Sequence, residues 1–317
     1  MTTFPEDHTA APWSAYHPIS AEDKTTMDAI RAIVEPNRGK LQGPGARGPY
    51  DAIMERVTAP ANVTYEEDTI GGIPGWWCKP NKACSDGALM HIHGGWFTFG
   101  SAKAFRHLVG HIAASTGVAA FVPDYRLAPE NPSPSAAEDV RASYLGLVDR
   151  GFSKIAVTGD SAGGNLALGL AAYLAAGSRG SSSLAGVVAI SPVTDLSLSG
   201  ASWSSRAEND PLFTLPQAQG LIHGYLGGQN VTDPLVSPLY AALNGLVPVS
   251  VHVGNDEMLL DDSVRFVERA VATGIDARLD VWEGMIHGFL GSVGRLSAST
   301  EALQLAGMFL SDRLESK

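Results

Sequence analysis

Lys154-Ile155-Ala156-Val157-Thr158-Gly159-Asp160-Ser161-Ala162-Gly163 is the stretch whose reading decides the fold. Lys154 to Thr158 is a short β-type run, and Ala162 to Ala176 reads as a helix of small and apolar residues. A serine between two glycines at such a strand-to-helix turn has the form of a nucleophile turn. Glycines suit the flanks because the turn is strained and a Cβ there would crowd its neighbours. The competing readings are a loop serving only tight helix–strand packing and a phosphate cradle. No Gly-Lys-Ser/Thr follows, which argues against the cradle.

Working outward, the chain shows no repeat and alternates strands with helices from about residue 62. Candidate strands are Val63–Glu66, Gly75–Lys79, Leu89–His93, Val118–Pro123, Lys154–Thr158, Val187–Ser191, Val249–Val253 and Arg278–Trp282. Helical patterns occupy Phe105–Ser115, Ser135–Asp149, Ala162–Ala176, Ser263–Ala272 and Ser299–Leu314. This alternation predicts an α/β fold with a mostly parallel sheet covered on both faces. Ligands on such sheets bind beyond the carboxyl ends of the strands. Before them, Ser20-Ala21-Glu22-Asp23 has capping-box form, and Met27, Ile30, Ile33 and Val34 follow at helical spacing up to Pro36.

One connection breaks the rhythm. More than fifty residues separate Ser191 from Val249, rich in Gly, Ser and Pro yet carrying Trp203, Leu212, Phe213, Leu215, Leu221, Ile222, Tyr225 and Leu226. Connections of that length are commonly lids or binding loops. The expected organisation is therefore a catalytic domain over residues 51–195 and 248–317, a cap segment over 1–50 and an inserted cap segment over 196–247.

Composition narrows the partners. The 317 residues are 44% hydrophobic and 17% charged, as in a well-packed globular protein. A net charge of −11 argues against nucleic acid or an anionic membrane surface. Met1 to Ala10 carries Glu6 and Asp7 and no apolar run of a secretory signal. The longest apolar stretch, around Ala167 to Ala176, is too short and too rich in Ala and Gly for a membrane span. Cys78 and Cys84 cannot form a disulfide framework; they could pair across a turn but read as free thiols, and the expected compartment is the cytoplasm.

A serine hydroxyl attacks only when a base takes its proton, so the turn predicts a histidine and a carboxylate. Three histidines follow Ser161. His223 lies in the inserted segment, and His252 lies between valines inside a strand. His287, in Glu283-Gly284-Met285-Ile286-His287-Gly288-Phe289, follows the last strand in a loop and is the expected base. The acid is expected after Val249–Val253, where Gly254-Asn255-Asp256-Glu257 offers Asp256 first, with Glu257 as its nearest rival. Asp261 and Asp262 are expected to open the next helix, where negative charge suits the dipole. Oxyanion donors are expected from Ala162 and from His93-Gly94-Gly95-Trp96, paired either as Gly94 and Gly95 or as Gly95 and Trp96. His93 reads as a loop-shaping hydrogen-bonder. Candidate substrate contacts are Trp96, Phe97, Trp203, Leu212, Phe213 and Ile286.

With these residues in hand, the chain resembles the hormone-sensitive-lipase-like carboxylesterases, bacterial family IV of the α/β-hydrolase superfamily. The resemblance rests on His93-Gly94-Gly95, Asp124-Tyr125-Arg126-Leu127-Ala128-Pro129-Glu130 and Gly159-Asp160-Ser161-Ala162-Gly163-Gly164-Asn165. Asp256 with Leu259 and Asp261, and His287 with Gly288 and Phe289, complete it. It implies an α/β-hydrolase fold with an eight-stranded sheet, a helical cap and no cofactor or metal. It also implies a serine carboxylesterase cleaving small esters of short to medium acyl chains through an acyl-enzyme on Ser161, in a family where homodimers occur. One departure stands out: where the family usually has a third glycine, this chain has Trp96. Lactonase, of the monoterpene ε-lactone hydrolase kind, and amidase or deacetylase activity would need the same residues. A non-catalytic receptor of this fold would lack the histidine.

Overall fold

Nine strands form one sheet in the computed structural model, which describes residues 11–177 and 179–315, with side chains at all of these but 84–86. In chain order the elements are β1 (Ser14–His17), α1 (Ala21–Val34), α2 (Arg47–Met54), β2 (Val63–Ile70), β3 (Ile73–Pro80) and β4 (Cys84–Ile92). Next come α3 (Ala102–Thr116), β5 (Val118–Pro123), α4 (Ser135–Asp149), β6 (Lys154–Asp160), α5 (Ala162–Ala175) and β7 (Leu184–Ile190). The chain ends with α6 (Ser202–Ser205), α7 (Leu215–Leu226), β8 (Val249–Gly254), α8 (Leu260–Ala272), β9 (Ala277–Trp282) and α9 (Ser297–Glu315).

The strand order is β1-β9-β8-β7-β6-β4-β5-β3-β2. Pairing is parallel from β1 across to β5, and β3 and β2 are added antiparallel. Alternate side chains of a strand point to opposite faces. Thus Ile155 and Val157 enter the core under α4, α5 and α8, while Ala156 enters the one under α3 and α9. With both faces covered, β8 is buried at all of its residues, which explains its continuous Val-Ser-Val-His-Val pattern. Burial of each such valine or leucine contributes about 1.5–3 kcal/mol.

The direction in which strands are added across the sheet reverses between β4 and β6: the crossover from β4 leads outward to β5, and the next returns to β6 on the other side. Crevices form at such a switch point. Register pairs Ile92 with Gly159, so β4 and β6 end level and the loops after them lie side by side. This places Gly94–Trp96 next to Ser161.

The expected strands are all present, but a ninth was not anticipated. Ser14–His17 adds β1 parallel to β9, with His17 opposite Trp282. Four residues without apolar alternation give no periodic signal. What holds the strand is tertiary: the His17 ring stacks on Trp282 at 3.9 Å, and its Nε2 bonds Asp280 at 2.8 Å. Part of segment 1–50 therefore belongs to the sheet. After it, Ser20 caps α1 by accepting from Asp23 N at 3.0 Å. Buried Asp23 accepts from the amides of Ser297 and Ala298, both at 2.8 Å, and so fixes α1 against the start of α9.

Cys78 is a buried free thiol; the Cys84 side chain and Met1 to Ala10 lie outside the described residues. Among the described residues, no helix is long and apolar enough to cross a membrane.

Candidate active site

Ser161 sits between β6 and α5 at φ 54°, ψ −118°. A non-glycine residue in such a region costs about 1–3 kcal/mol and persists only where its surroundings over-determine it. Here Ser161 N donates to Ile190 O at 2.8 Å, and Asn165 N donates to Ser161 O at 3.1 Å. The flanking glycines are sterically required. A Cβ on Gly163 would lie 1.9 Å from Ile92 O, and one on Gly159 would lie 2.3 Å from Gly163 O. The turn thus presents the serine at the positive end of α5.

His287 follows β9, and its Nδ1 is hydrogen-bonded to Glu257 Oε2 at 2.8 Å. Glu257 is fully buried; its other oxygen accepts from Gly254 N at 2.6 Å and Ser191 Oγ at 2.7 Å. Burial alone would lower the His287 pKa. The Glu257 bond and charge outweigh it, aided by the charges of Asp210 and Asp160, and hold the pKa above the ordinary histidine value. No hydrogen bond joins Ser161 Oγ to the His287 ring among the described residues. In free hydrolases that bond is often long and tightens with substrate in place.

Asp256, the carboxylate expected to meet His287, does not. Its Oδ2 accepts from Arg31 Nη2 of α1 at 2.5 Å. The reason lies in the turn after β8. Asp256 is directed outward to the N-terminal helix, while the longer Glu257 side chain folds back under the strand end to Gly254 N and reaches the histidine. Asp261 and Asp262 do open α8, as expected. His252 is buried in β8, 3.4 Å from the Trp282 indole nitrogen, and His223 is exposed on α7.

The loop after β4 narrows the oxyanion donors. Gly94 N donates to Asp160 Oδ1 at 2.9 Å, so that amide is committed to the nucleophile turn and is withdrawn from the expected set. The amides of Gly95, Trp96 and Ala162 meet no acceptor among the described residues. Gly95, Trp96 and Phe97 all have positive φ, at 117°, 52° and 58°. Trp96 thus occupies the left-handed conformation that a glycine takes without strain. His93 shapes this loop: its Nδ1 bonds Gly94 O at 2.8 Å, and its ring stacks on Tyr125 at 4.3 Å. Burial lowers the His93 pKa to about 4, so the ring is neutral.

Of the candidate substrate contacts, Trp96, Trp203 and Phe213 come together, with ring centroids 5.4–6.3 Å apart. The Phe213 ring also meets His287 edge-on at 5.1 Å. Leu212, half-buried, precedes Phe213. Phe97 shares the core of this group but turns its ring elsewhere, and Ile286 stands apart from it. The fully buried Phe97 ring is stacked on Tyr225 of α7 at 3.7 Å. Ile286 packs with Met27, Met285 and Phe289 in the core on the other face.

Two arginines without a local sequence signal bind the N-terminal segment to this site. Arg31 donates to Asn209 O at 2.5 Å and Gly284 O at 3.2 Å in addition to Asp256. It therefore joins the inserted segment, the acid loop and the histidine loop. Arg47 of α2 donates to Thr98 O and Ala128 O, both at 2.9 Å, behind the oxyanion loop. A cavity of about 360 Å³ is lined by Gln42, Thr98, Thr214, Gln217 and Leu221 among others.

Most of the chain is similar to known proteins. The family model described as alpha/beta hydrolase fold matches residues 89–291. An acetyl-hydrolase of Streptomyces hygroscopicus is 34% identical over 90% of this chain and 95% of its own length. An esterase of Acinetobacter venetianus is 36% identical over 83% of this chain and 88% of its own. Among solved structures, an esterase from the bacterial hormone-sensitive lipase family superposes with a TM-score of 0.86 at 33% identity, covering 93% of this chain and 99% of that one.

Proposed function

Because this chain belongs to the bacterial hormone-sensitive lipase family of the α/β-hydrolase fold and is a carboxylic ester hydrolase, we propose that it cleaves small esters of short acyl chains through an acyl-enzyme on Ser161. The supporting observation is the His287 Nδ1–Glu257 bond at 2.8 Å. It fixes the tautomer that leaves Nε2 as the proton acceptor. Ser161 Oγ attacks the ester carbonyl and gives its proton to His287; Glu257 stabilises the imidazolium. The oxyanion accepts from the amides of Ala162, Gly95 and Trp96, and the departing alkoxide takes the proton from His287. Water then repeats the sequence on the acyl-serine. Segment 196–247 and the N-terminal helices act as the cap over a catalytic domain formed by 51–195 and 248–317.

Rapid mixing with p-nitrophenyl acetate tests the intermediate. The expected result is a stoichiometric burst of nitrophenol and one acetyl group on the Ser161 peptide by mass spectrometry. A linear time course with no serine adduct under any deacylation-limited condition would contradict the mechanism. Activity should also fall as pH drops through the raised pKa of His287, since the base must be neutral.

Chain length is assigned to Trp96, whose bulk stands beside two of the proposed oxyanion amides. Trp96→Gly removes a left-handed strain of about 1–2 kcal/mol but deletes a buried aromatic ring, at a cost of about 3–5 kcal/mol. The variant should be modestly less stable. Its kcat/KM for octanoate relative to acetate esters should rise by about tenfold or more, since each accommodated methylene is worth about 1–3 kcal/mol. A p-nitrophenyl ester series reads this directly, and an unchanged ratio would remove Trp96 from the acyl pocket.

A further inference from the structure

Asp210 is fully buried in the inserted segment, and among the described residues no cation is its hydrogen-bond partner. Its Oδ1 accepts from Leu212 N at 3.0 Å, and its Oδ2 accepts from Met258 N at 3.2 Å. Each of those amides adjoins a residue that touches His287. Phe213, next to Leu212, meets the imidazole edge-on at 5.1 Å. Glu257, next to Met258, bonds Nδ1 at 2.8 Å. Asp210 N in turn donates to Arg206 O at 3.0 Å, and Arg31 holds the neighbouring Asn209 O from outside.

We propose that Asp210 is a positioning residue of the hydrolytic reaction, tying the inserted segment to the acid loop so that docking of that segment sets the orientation and charge state of His287. A buried carboxylate is a costly way to accept two amide hydrogens. Burial raises the Asp210 pKa to about 6, against which its two amide bonds and His287 pull downward. The charges acting on His287 come from three elements: Glu257 after β8, Asp210 in the inserted segment, and Asp160 in the nucleophile turn. An Asx turn alone would need only one oxygen. The second oxygen ties the acid loop through Met258 N, and the charge favours the imidazolium that forms during catalysis.

The proposal rests on the His287–Glu257 pair as base and acid, and Glu257→Gln tests that premise separately. A fully active Glu257→Gln enzyme sinks the premise; a crippled one beside a normal Asp210→Asn enzyme sinks only the role of Asp210. Asp210→Asn is expected to lower kcat by about tenfold or more, as small misplacements of catalytic groups do, with a smaller change in KM. The acid limb of its kcat/KM profile should move to lower pH, because His287 loses a neighbouring negative charge. Rates are to be expressed per acylatable site from the burst. A kcat within about twofold of wild type and an unmoved acid limb overturn the proposal. A lower melting temperature with kcat per site and acid limb unchanged overturns it too, since that marks a structural turn only. Should the variant not fold, the wild-type profile decides. Two groups must then be correctly ionised, so log(kcat/KM) must fall with a slope above one in reversible acid, and a slope of one throughout overturns the proposal.

Discussion

Ser161→Ala is expected to remain folded while losing at least about 10³-fold, and up to roughly 10⁶-fold, of its p-nitrophenyl acetate turnover, the range seen when a triad nucleophile is deleted. The structure separates the two halves of that expectation. Catalysis depends on the hydroxyl, but folding does not: Ser161 makes no side-chain capping bond to α5, and the turn is held by backbone bonds that alanine keeps. Alanine also keeps the φ of 54° and hence the strain. Ser161→Gly abolishes the nucleophile as well but releases the strain, worth about 1–3 kcal/mol. The glycine variant should therefore melt a few degrees above the alanine variant, with both inactive. Turnover and calorimetry on the pair separate nucleophile from strain. Retained hydrolysis in Ser161→Ala would remove Ser161 from the reaction. Equal melting temperatures would show that the elbow is not strained.

Much of this site was legible because its parts obey local rules. Gly159 and Gly163 mark a turn that only glycine flanks permit, and buried parallel strands write themselves as unbroken apolar runs such as Val249–Val253. The order of strands, turn and late histidine loop then follows from chain direction. What was not legible is decided by contacts distant in sequence. β1 exists because His17 finds Asp280 and Trp282, more than two hundred and fifty residues away. Arg31 stitches three loops, yet as a single charge in the last turn of a helix it resembles any surface arginine. Gly94 satisfies every sequence criterion for an oxyanion donor, and only the position of Asp160 shows its amide to be already used. Ile286 adjoins the base in sequence but turns into the opposite core.

The same limit explains the choice between adjacent carboxylates, and it leads to a large expected effect. Glu257→Gln should lower kcat by about 10³–10⁴-fold, the loss that follows when the acid of a triad becomes an amide. Glu257 accepts from His287 Nδ1, Gly254 N and Ser191 Oγ. Glutamine has one oxygen to offer. If that oxygen stays on Gly254, the amide NH₂ faces His287 and imposes the wrong tautomer. If it turns to His287, a donor meets the Gly254 amide and the loop must shift. Asp256→Asn should keep kcat within several-fold, because Asp256 binds Arg31 rather than the histidine. Its stability should change by no more than about 1 kcal/mol, the scale of a partly exposed ion pair. Burial raises the Asp256 pKa more than Arg31 and Arg206 lower it, so the charge there is only partly compensated and a neutral amide is tolerated. Steady-state kinetics on the two variants decide the assignment. A crippled Asp256→Asn beside a competent Glu257→Gln would mean that the acid loop rearranges when substrate binds, bringing Asp256 to the histidine.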